Sequence, residues 1–568
     1  MTRMTGSDAL MELLRDEGVE YVFGILGGTE HAILDVLEKR FPDIKYMITL
    51  NEVNAVGMAI GYSRASGGKM AVPLLHAAAG LITSYPMLLN AYLGGEPMVV
   101  ISGQQDTREL LHEPHMSVTG NLTGITSHLT KWSIEVNNAE DIPLAIRRAF
   151  KVAKQPPTGP VHVTLPQNIM KESIDFEHVP NAASFTNVHP DTEAISTAVD
   201  LLANAKSPVF IVEEGVTKYN ALAEMVELAE LMGAPVYQPW MADVDFPTNH
   251  PQYLGFYDTK NKDNFFATPG GPMALREMLL SADVLVVVGS PLFAQPGHPE
   301  KPLITQNTKI IQIDDDPWQI AKNYPIAAGL VGSIKISLVE LNSALKSKMT
   351  ADARRAAKAR AATVGKQREE INKLYSDKAL REKDNTPIAF SRLARELKNT
   401  LQPHTLFVYE APSYRTDFRL IMDFTEHLSF IGGRGGASIG FGMPAALGVK
   451  LAAPDRPVVA LIGDGSGMWS NQSLWIAAHY NIPVTYVICA NAGYRAGRKK
   501  GPDGLAQEGK GANQCTDFEG PRIDFCLLAK SMGISAQKVE SPDKLNGVLK
   551  SAFSSGKPNL VEVYLEKC

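Results

Sequence analysis

The stretch VVALIGDGSGMWSNQSLWIAAHYNIPVTYVICANAGY, Val458–Tyr494, decides how this chain is read. It opens as an apolar, β-branched run that ends in Gly463-Asp464-Gly465-Ser466. A helical pattern follows through Leu474, Trp475, Ala477 and Ala478, and a second apolar run, Pro483–Cys489, leads into Ala490-Asn491-Ala492-Gly493-Tyr494. Strand, turn, helix, strand, turn is the βαβ unit of a parallel sheet. Both turns then lie at the carboxyl ends of adjacent strands, where such sheets bind ligands. Asp464 and Asn491 should therefore face one crevice. A carboxylate and an amide oxygen are hard ligands that suit Mg²⁺ or Ca²⁺. Gly465 allows a tight turn, and it and Ser466 can aim backbone N–H groups at an anion near a helix N-terminus. The expected ligand is a phosphate group with a divalent cation. GDGS alone also makes ordinary βα turns with a solvated Asp. The Asn 27 residues after the Asp, in a strand context, makes the pattern specific.

At 568 residues the chain has room for three or four domains. A net charge of −6 argues against a general nucleic-acid binder. Cys489, Cys515, Cys526 and Cys568 show neither metal spacing nor a disulfide framework, which fits a reducing cytoplasm. The N-terminal MTRMTGSDALMELLRDEGVEYVFG carries charges through its apolar positions and does not read as a signal peptide. No uncharged apolar run reaches the ~18 residues of a membrane span.

The first third alternates helix and strand, as an α/β fold with a parallel sheet does. Apolar helical spacing over residues 6–18 precedes a strand at Tyr21-Val22-Phe23, and Ile44–Thr49, Met70–Leu75 and Met98–Ser102 read as further strands. Glu52 heads a helix of small apolar residues (Ala55, Gly57, Ala59, Gly61), where a carboxylate is partly desolvated. The macrodipole alone would also favour a Glu there. His76 ends a strand in Leu74-Leu75-His76-Ala77-Ala78-Ala79-Gly80, either as a core residue or at a ligand-facing strand end. A second α/β unit begins with the strand Pro208–Val212. Residues 347–385 are charged and Ala-rich and read as a solvated helix between domains. The glycine-dense Gly432–Gly442 stretch lacks GxGxxG, so it carries no dinucleotide fingerprint.

Taken together, these motifs resemble thiamine-diphosphate enzymes of the 2-oxo acid decarboxylase and acetolactate synthase superfamily. The resemblance covers nearly the whole chain. It implies an α/β fold of three parallel-sheet domains: a pyrimidine-binding domain (1–180), a middle domain (190–345), a linker helix (346–385) and a diphosphate- and metal-binding domain (386–568). The metal ligands would be Asp464, Asn491 and the Gly493 carbonyl. The family's usual pair of adjacent Asn is Ala490-Asn491 here. Gly27, Ser413, Ala437, Ile439, Gly465, Ser466 and Tyr494 would contact the cofactor, with Ile439 wedged beneath it and the Ala437 carbonyl accepting from its 4′-amino group. Glu52 would match the Glu that hydrogen-bonds N1′ of the aminopyrimidine and drives formation of the ylid.

Within the superfamily, the stretches at His76, Gly103-Gln104-Gln105, Lys131-Trp132-Ser133 and Phe246–Pro251 resemble benzoylformate decarboxylase. There the matching His acts on the substrate carboxylate. His112 and His115 fall in a loop where related decarboxylases place acid–base histidines, and His298 lies near the place of another. The pattern fails at Gly27-Gly28-Thr29-Glu30, where Gly28 replaces a Ser that touches substrate. Pro412 and Gly28 would line the substrate site. That enzyme has aromatic and aliphatic pocket residues at the places of Gly497, Lys499 and Lys500; the cations of this segment, Arg498, Lys499 and Lys500, would suit a substrate with a second anionic group or simply belong to a solvated loop. A middle-domain turn of Glu213-Glu214-Gly215 disfavours FAD. Acyl-CoA-handling relatives use a C-terminal tail as a lid over the coenzyme A; with Cys568 directly after the strand Asn559–Tyr564, the chain is expected not to resemble them. The resemblance thus implies a thiamine-diphosphate and Mg²⁺ (or Ca²⁺) enzyme of the cytoplasm. It would be a homodimer or homotetramer with active sites between subunits, and would bind neither nucleic acid nor membrane. The expected reaction is decarboxylation of a 2-oxo acid to an aldehyde, with or without carboligation. The alternative is a carboligase or lyase of 2-hydroxy ketones with no decarboxylation of its own.

Overall fold

Three groups of buried, β-branched strands each build a six-stranded, all-parallel sheet. The structure is a computed structural model that describes residues 2–25, 27–113, 115, 121–179, 187–239, 243–257, 275–292, 303–497, 515–518 and 520–567. The first sheet has the order Lys45–Ile48, Tyr21–Gly24, Val72–Leu75, Met98–Gln104, Pro160–Pro166, Trp132–Glu135. The second runs Tyr253–Tyr257, Val236–Pro239, Pro208–Val212, Val284–Val288, Lys309–Asp314, Ala328–Val331. The third runs Phe430–Ile431, Leu406–Glu410, Val458–Gly463, Val484–Ala490, Asn559–Tyr564, Ser535–Val539. Helices cover both faces of such sheets, which explains why Val484–Ala490 is buried at every position.

Two local expectations change. Residues 175–192 lack clear periodicity and read as linker from sequence, but the first two of them belong to a strand, Ser173–Phe176, that pairs antiparallel with Thr2–Thr5. Ile174 and Phe176 bury alternate side chains there, a pattern too short to stand out alone. The charged Ala351–Arg381 helix is not solvated all round. Ala357, Val364, Arg368, Ile371, Tyr375 and Ala379 form one buried stripe at helical spacing. The Thr350 hydroxyl caps its start by accepting from Ala353 N at 3.1 Å. No described helix is long and apolar enough to cross a membrane.

The first and third sheets are joined through two small-residue helices, Glu52–Ala65 and Gly442–Ala452. They approach until backbone meets backbone. A Cβ on Gly448 would overlap the Met58 carbonyl oxygen, one on Gly61 the Ala445 carbonyl, and one on Gly57 the ring of Pro444. Small residues let helix axes come closer than the usual 8–10 Å. Buried ion pairs bind the three units further. Arg434 Nε donates to Asp243 Oδ2 at 2.9 Å and its Nη1 to Glu96 Oε1 at 3.2 Å, while Arg64 Nε donates to the same Glu96 oxygen at 2.7 Å. Gly448→Ala should therefore lower the Tm by several degrees, an overpacking cost of about 3 kcal/mol. Gly547→Ala, in a helix with open space around it, should leave the Tm unchanged or slightly raised. Differential scanning calorimetry of both variants checks the contrast.

Candidate active site

Gly463 and Cys489 are register partners on adjacent strands, so the turns after them open side by side. Asp464 Oδ2 accepts from Asn491 N at 2.9 Å and Ala492 N at 2.6 Å, and its Oδ1 accepts from Gly465 N at 2.8 Å. Burial pushes the Asp464 carboxyl up to about 6 despite those three donors. Asn491 donates Nδ2 to the Tyr414 hydroxyl at 2.9 Å. Its Oδ1 is buried and has no partner. An orphaned amide oxygen beside a desolvated carboxylate suits a hard divalent cation, which would satisfy the first and hold the second ionised. Arg495 fixes the turn from behind, donating to Asn491 O at 2.8 Å and Ala492 O at 3.2 Å. Gly493 O already accepts from Arg495 N at 2.9 Å and keeps its second lone pair. The Tyr494 ring lies against Gly465, where a Cβ would strike it. Ser466 is buried in the four-residue turn Asp464–Gly467.

The glycine-dense loop is held from two sides. Buried Glu410, at the end of its strand, accepts from Gly440 N (2.8 Å), Phe441 N (3.1 Å) and Gly442 N (2.7 Å). Burial raises its carboxyl to about 7. Asn90, on the Ala77–Leu93 helix, accepts from Ser438 N and donates to Ser438 O, both at 2.9 Å. Between these anchors Ala437 adopts φ 53°. Ala437 and Ile439 line an open, largely apolar cleft of about 920 Å³ with Ile82, Tyr85 and Trp469. They also line a smaller one with Glu410 and Pro412. Pro412 and Ser413 lie half-buried in the turn Pro412–Tyr414.

A third group surrounds His76. Left-handed Leu50 (φ 55°) and the Asn51 cap turn the chain into the helix that Glu52 begins. The Glu52 carboxylate accepts from Thr83 Oγ1 at 2.8 Å. His76 Nδ1 lies 2.9 Å from Oε2 of Glu30, which is fully buried. That hydrogen bond raises the His76 pKa, partly offset by burial and reinforced by the charges of Glu30 and Glu52. With Nδ1–H donated to Glu30, Nε2 is the free nitrogen. Glu30 also accepts from Gly27 N at 3.1 Å, Gly103 N at 3.2 Å and the Thr29 hydroxyl. A Cβ on Gly27 would overlap the His76 ring, whereas Gly28 faces open space.

Residues 4–123, 195–341 and 413–563 match, in that order, the N-terminal TPP binding domain, the central domain and the C-terminal TPP binding domain of thiamine pyrophosphate enzymes. The chain belongs to the thiamine pyrophosphate enzyme family. It is 29% identical to benzoylformate decarboxylase of Pseudomonas aeruginosa, over 98% of either chain. It is also 29% identical to a probable acetolactate synthase large subunit of Methanococcus aeolicus, over 99% of this chain and 92% of that one. A solved thiamine diphosphate-dependent 4-hydroxybenzoylformate decarboxylase of Rhodococcus jostii RHA1 superposes with a TM-score of 0.80 at 27% identity, covering 100% of both chains. Decarboxylases and acetolactate synthases thus match this thiamine pyrophosphate enzyme about equally.

Not every residue picked from sequence joins these groups. His112 and His115 are exposed, and neither imidazole has a hydrogen-bond partner among the described residues. Arg498, Lys499, Lys500 and His298 lie outside the described residues. Four residues of this thiamine pyrophosphate enzyme escaped sequence reasoning: Glu30, Asn90, Glu410 and Arg495. Two carried a signal in the sequence: Glu30 as the last residue of the turn Gly27–Glu30, and Glu410 as the strand-end residue that opens the turn Glu410–Ser413. If Glu30 holds His76, the stability of the pair is fully present below the ordinary imidazole pKa of about 6.5 and is lost as pH rises through the raised folded value. Glu30→Gln should return the His76 titration, followed by NMR, toward or below the ordinary value and flatten that pH dependence. An unmoved titration would contradict the pairing.

Proposed function

We propose that the chain catalyses non-oxidative decarboxylation of a 2-oxo acid to an aldehyde, using thiamine diphosphate held through Mg²⁺ (or Ca²⁺). The observation that carries this reading is His76: a strand-end imidazole locked through Nδ1 by a buried carboxylate, with Nε2 left to meet a substrate. Asp464, Asn491 and the Gly493 carbonyl would hold the cation, and the backbone of Gly465 and Ser466 the diphosphate. Gly27, Ser413, Ala437, Ile439 and Tyr494 would line the rest of the cofactor's place. When bound, the cofactor supplies the electron sink for loss of CO₂. Glu52 holds a carboxylate oxygen, steadied by Thr83, where it can exchange a proton with the cofactor's pyrimidine. His76 orients the substrate carboxylate; its raised pKa favours the cation that attracts one. After CO₂ departs, the same imidazole can pass a proton from Nε2 to product.

Two copies of the chain would complete the site as a homodimer or homotetramer. Ile82, Tyr85 and Trp469 around the Ile439 cleft are 56%, 36% and 47% exposed in one chain, an apolar face that a second copy would cover. The second reading is a carboligase or lyase of 2-hydroxy ketones. Its support is the equal identity to acetolactate synthases and the open space at Gly28, which leaves room for an acceptor.

Glu52→Gln should cut turnover at least ~100-fold, as loss of a proton-transfer group does, while thiamine diphosphate binding and the circular dichroism spectrum stay unchanged. CO₂ release with purified variant and wild type measures this. Near-wild-type turnover would remove Glu52 from the mechanism.

A further inference from the structure

A cleft of about 380 Å³, separate from the groups above, opens where the Ala351–Arg381 helix meets the Phe390–Thr400 helix and the end of the Arg415–Ile421 helix. That volume is within the range of small-molecule sites. Part of its lining is apolar, with Tyr375, Leu380, Leu420 and Ile421; another part carries Arg368, Asn372, Arg395, Lys398 and Asn399, with Asp423 as the one carboxylate. Asp423 is already paired, Oδ2 to Lys398 Nζ at 2.7 Å.

Arg368 is the unusual member. It is only 3% exposed, yet Nε and Nη1 have no hydrogen-bond partner. Nη2 donates to the Thr248 carbonyl at 2.7 Å, and the guanidinium stands 5.4 Å from the Tyr253 ring centroid. The nearby charge of Asp423 acts on Arg368 at a distance, but no carboxylate bonds it directly, and a buried guanidinium with two unpaired N–H groups is costly. Arg395, one turn before Lys398 on the neighbouring helix, makes no hydrogen bond or ion pair among the described residues. Among the described residues, then, two guanidinium groups with no direct carboxylate ion pair line one cleft.

We propose that this cleft is a second ligand site, one that binds a small oxyanion, a phosphate or carboxylate group, with Arg368 and Arg395 as its anchors and Lys398 at its rim. A guanidinium offers such a group a bidentate fork. The anion would tie three helices together. It would sit at the Leu420–Ile421 end of a helix whose other end follows Tyr414, the partner of Asn491.

The test is isothermal titration calorimetry on the holoenzyme. The protein is loaded with thiamine diphosphate and Mg²⁺ and then desalted, so that its diphosphate site is closed to the probe. Inorganic phosphate and, separately, succinate are titrated at constant ionic strength. Saturable binding of one of them at one per chain is expected, and which one binds tells phosphate from carboxylate. Arg395→Gln should weaken that binding at least about tenfold, the equivalent of one lost charge-assisted hydrogen bond. Arg368→Met should abolish it. Should Arg368→Met fail to fold, Arg395→Gln and Lys398→Gln decide the matter. No saturable binding of either probe, or equal affinity in wild type and Arg395→Gln, would overturn the proposal.

Discussion

The rest of the structure depends on the contact between the Glu52–Ala65 and Gly442–Ala452 helices, closed to backbone distance by Gly57, Gly61 and Gly448. The first helix carries Glu52 at its N-terminus. The second follows directly on the loop that carries Ala437 and Ile439. Segments nearly 400 residues apart in sequence are thereby held in one rigid unit. Secondary contacts reinforce it: Ser473 Oγ donates to Asn54 Oδ1 at 3.1 Å, and Ile48 N to the Tyr480 hydroxyl at 2.8 Å. A side chain at any of the three glycines would push the units apart.

Around that contact, buried polar groups are positioned by being satisfied. Glu410 holds three backbone N–H groups of the glycine-dense loop, Asn90 holds Ser438 at both its N–H and its carbonyl, and Glu30 holds His76. Each would be costly to bury alone, so each fixes its partners. Asn491 Oδ1 is the exception: among those polar groups it is left without a protein partner, beside Asp464. The conformation of that turn is set by Arg495 and Tyr414, so the orphan oxygen is held in a fixed place beside the carboxylate.

The fold class was legible because its signals are local. A strand, a Gly-Asp turn, a helix and a second strand within Val458–Tyr494 suffice to read a parallel sheet. Similar alternations elsewhere give two more. Asp464 and Asn491 were legible together for the same reason, since one crossover brings their strand ends side by side. Glu30 was not, because its meaning lies in His76, 46 residues on, and in Gly103, 73 residues on. Asn90 acts on Ser438 across 348 residues, and no spacing rule reaches that far. The buried stripe of the Ala351–Arg381 helix was hidden by charge. Arg368 is one of its buried positions, and an Arg counts as surface in any pattern of apolar residues.

The most direct test of the account is CO₂ release from a panel of 2-oxo acids, aromatic, aliphatic and dianionic. Each is assayed with and without thiamine diphosphate and Mg²⁺. CO₂ is expected from at least one member only when both are present, with aldehyde formed in equal amount. Joining or cleavage of carbon–carbon bonds by the loaded enzyme, with no CO₂ from any 2-oxo acid, would contradict it.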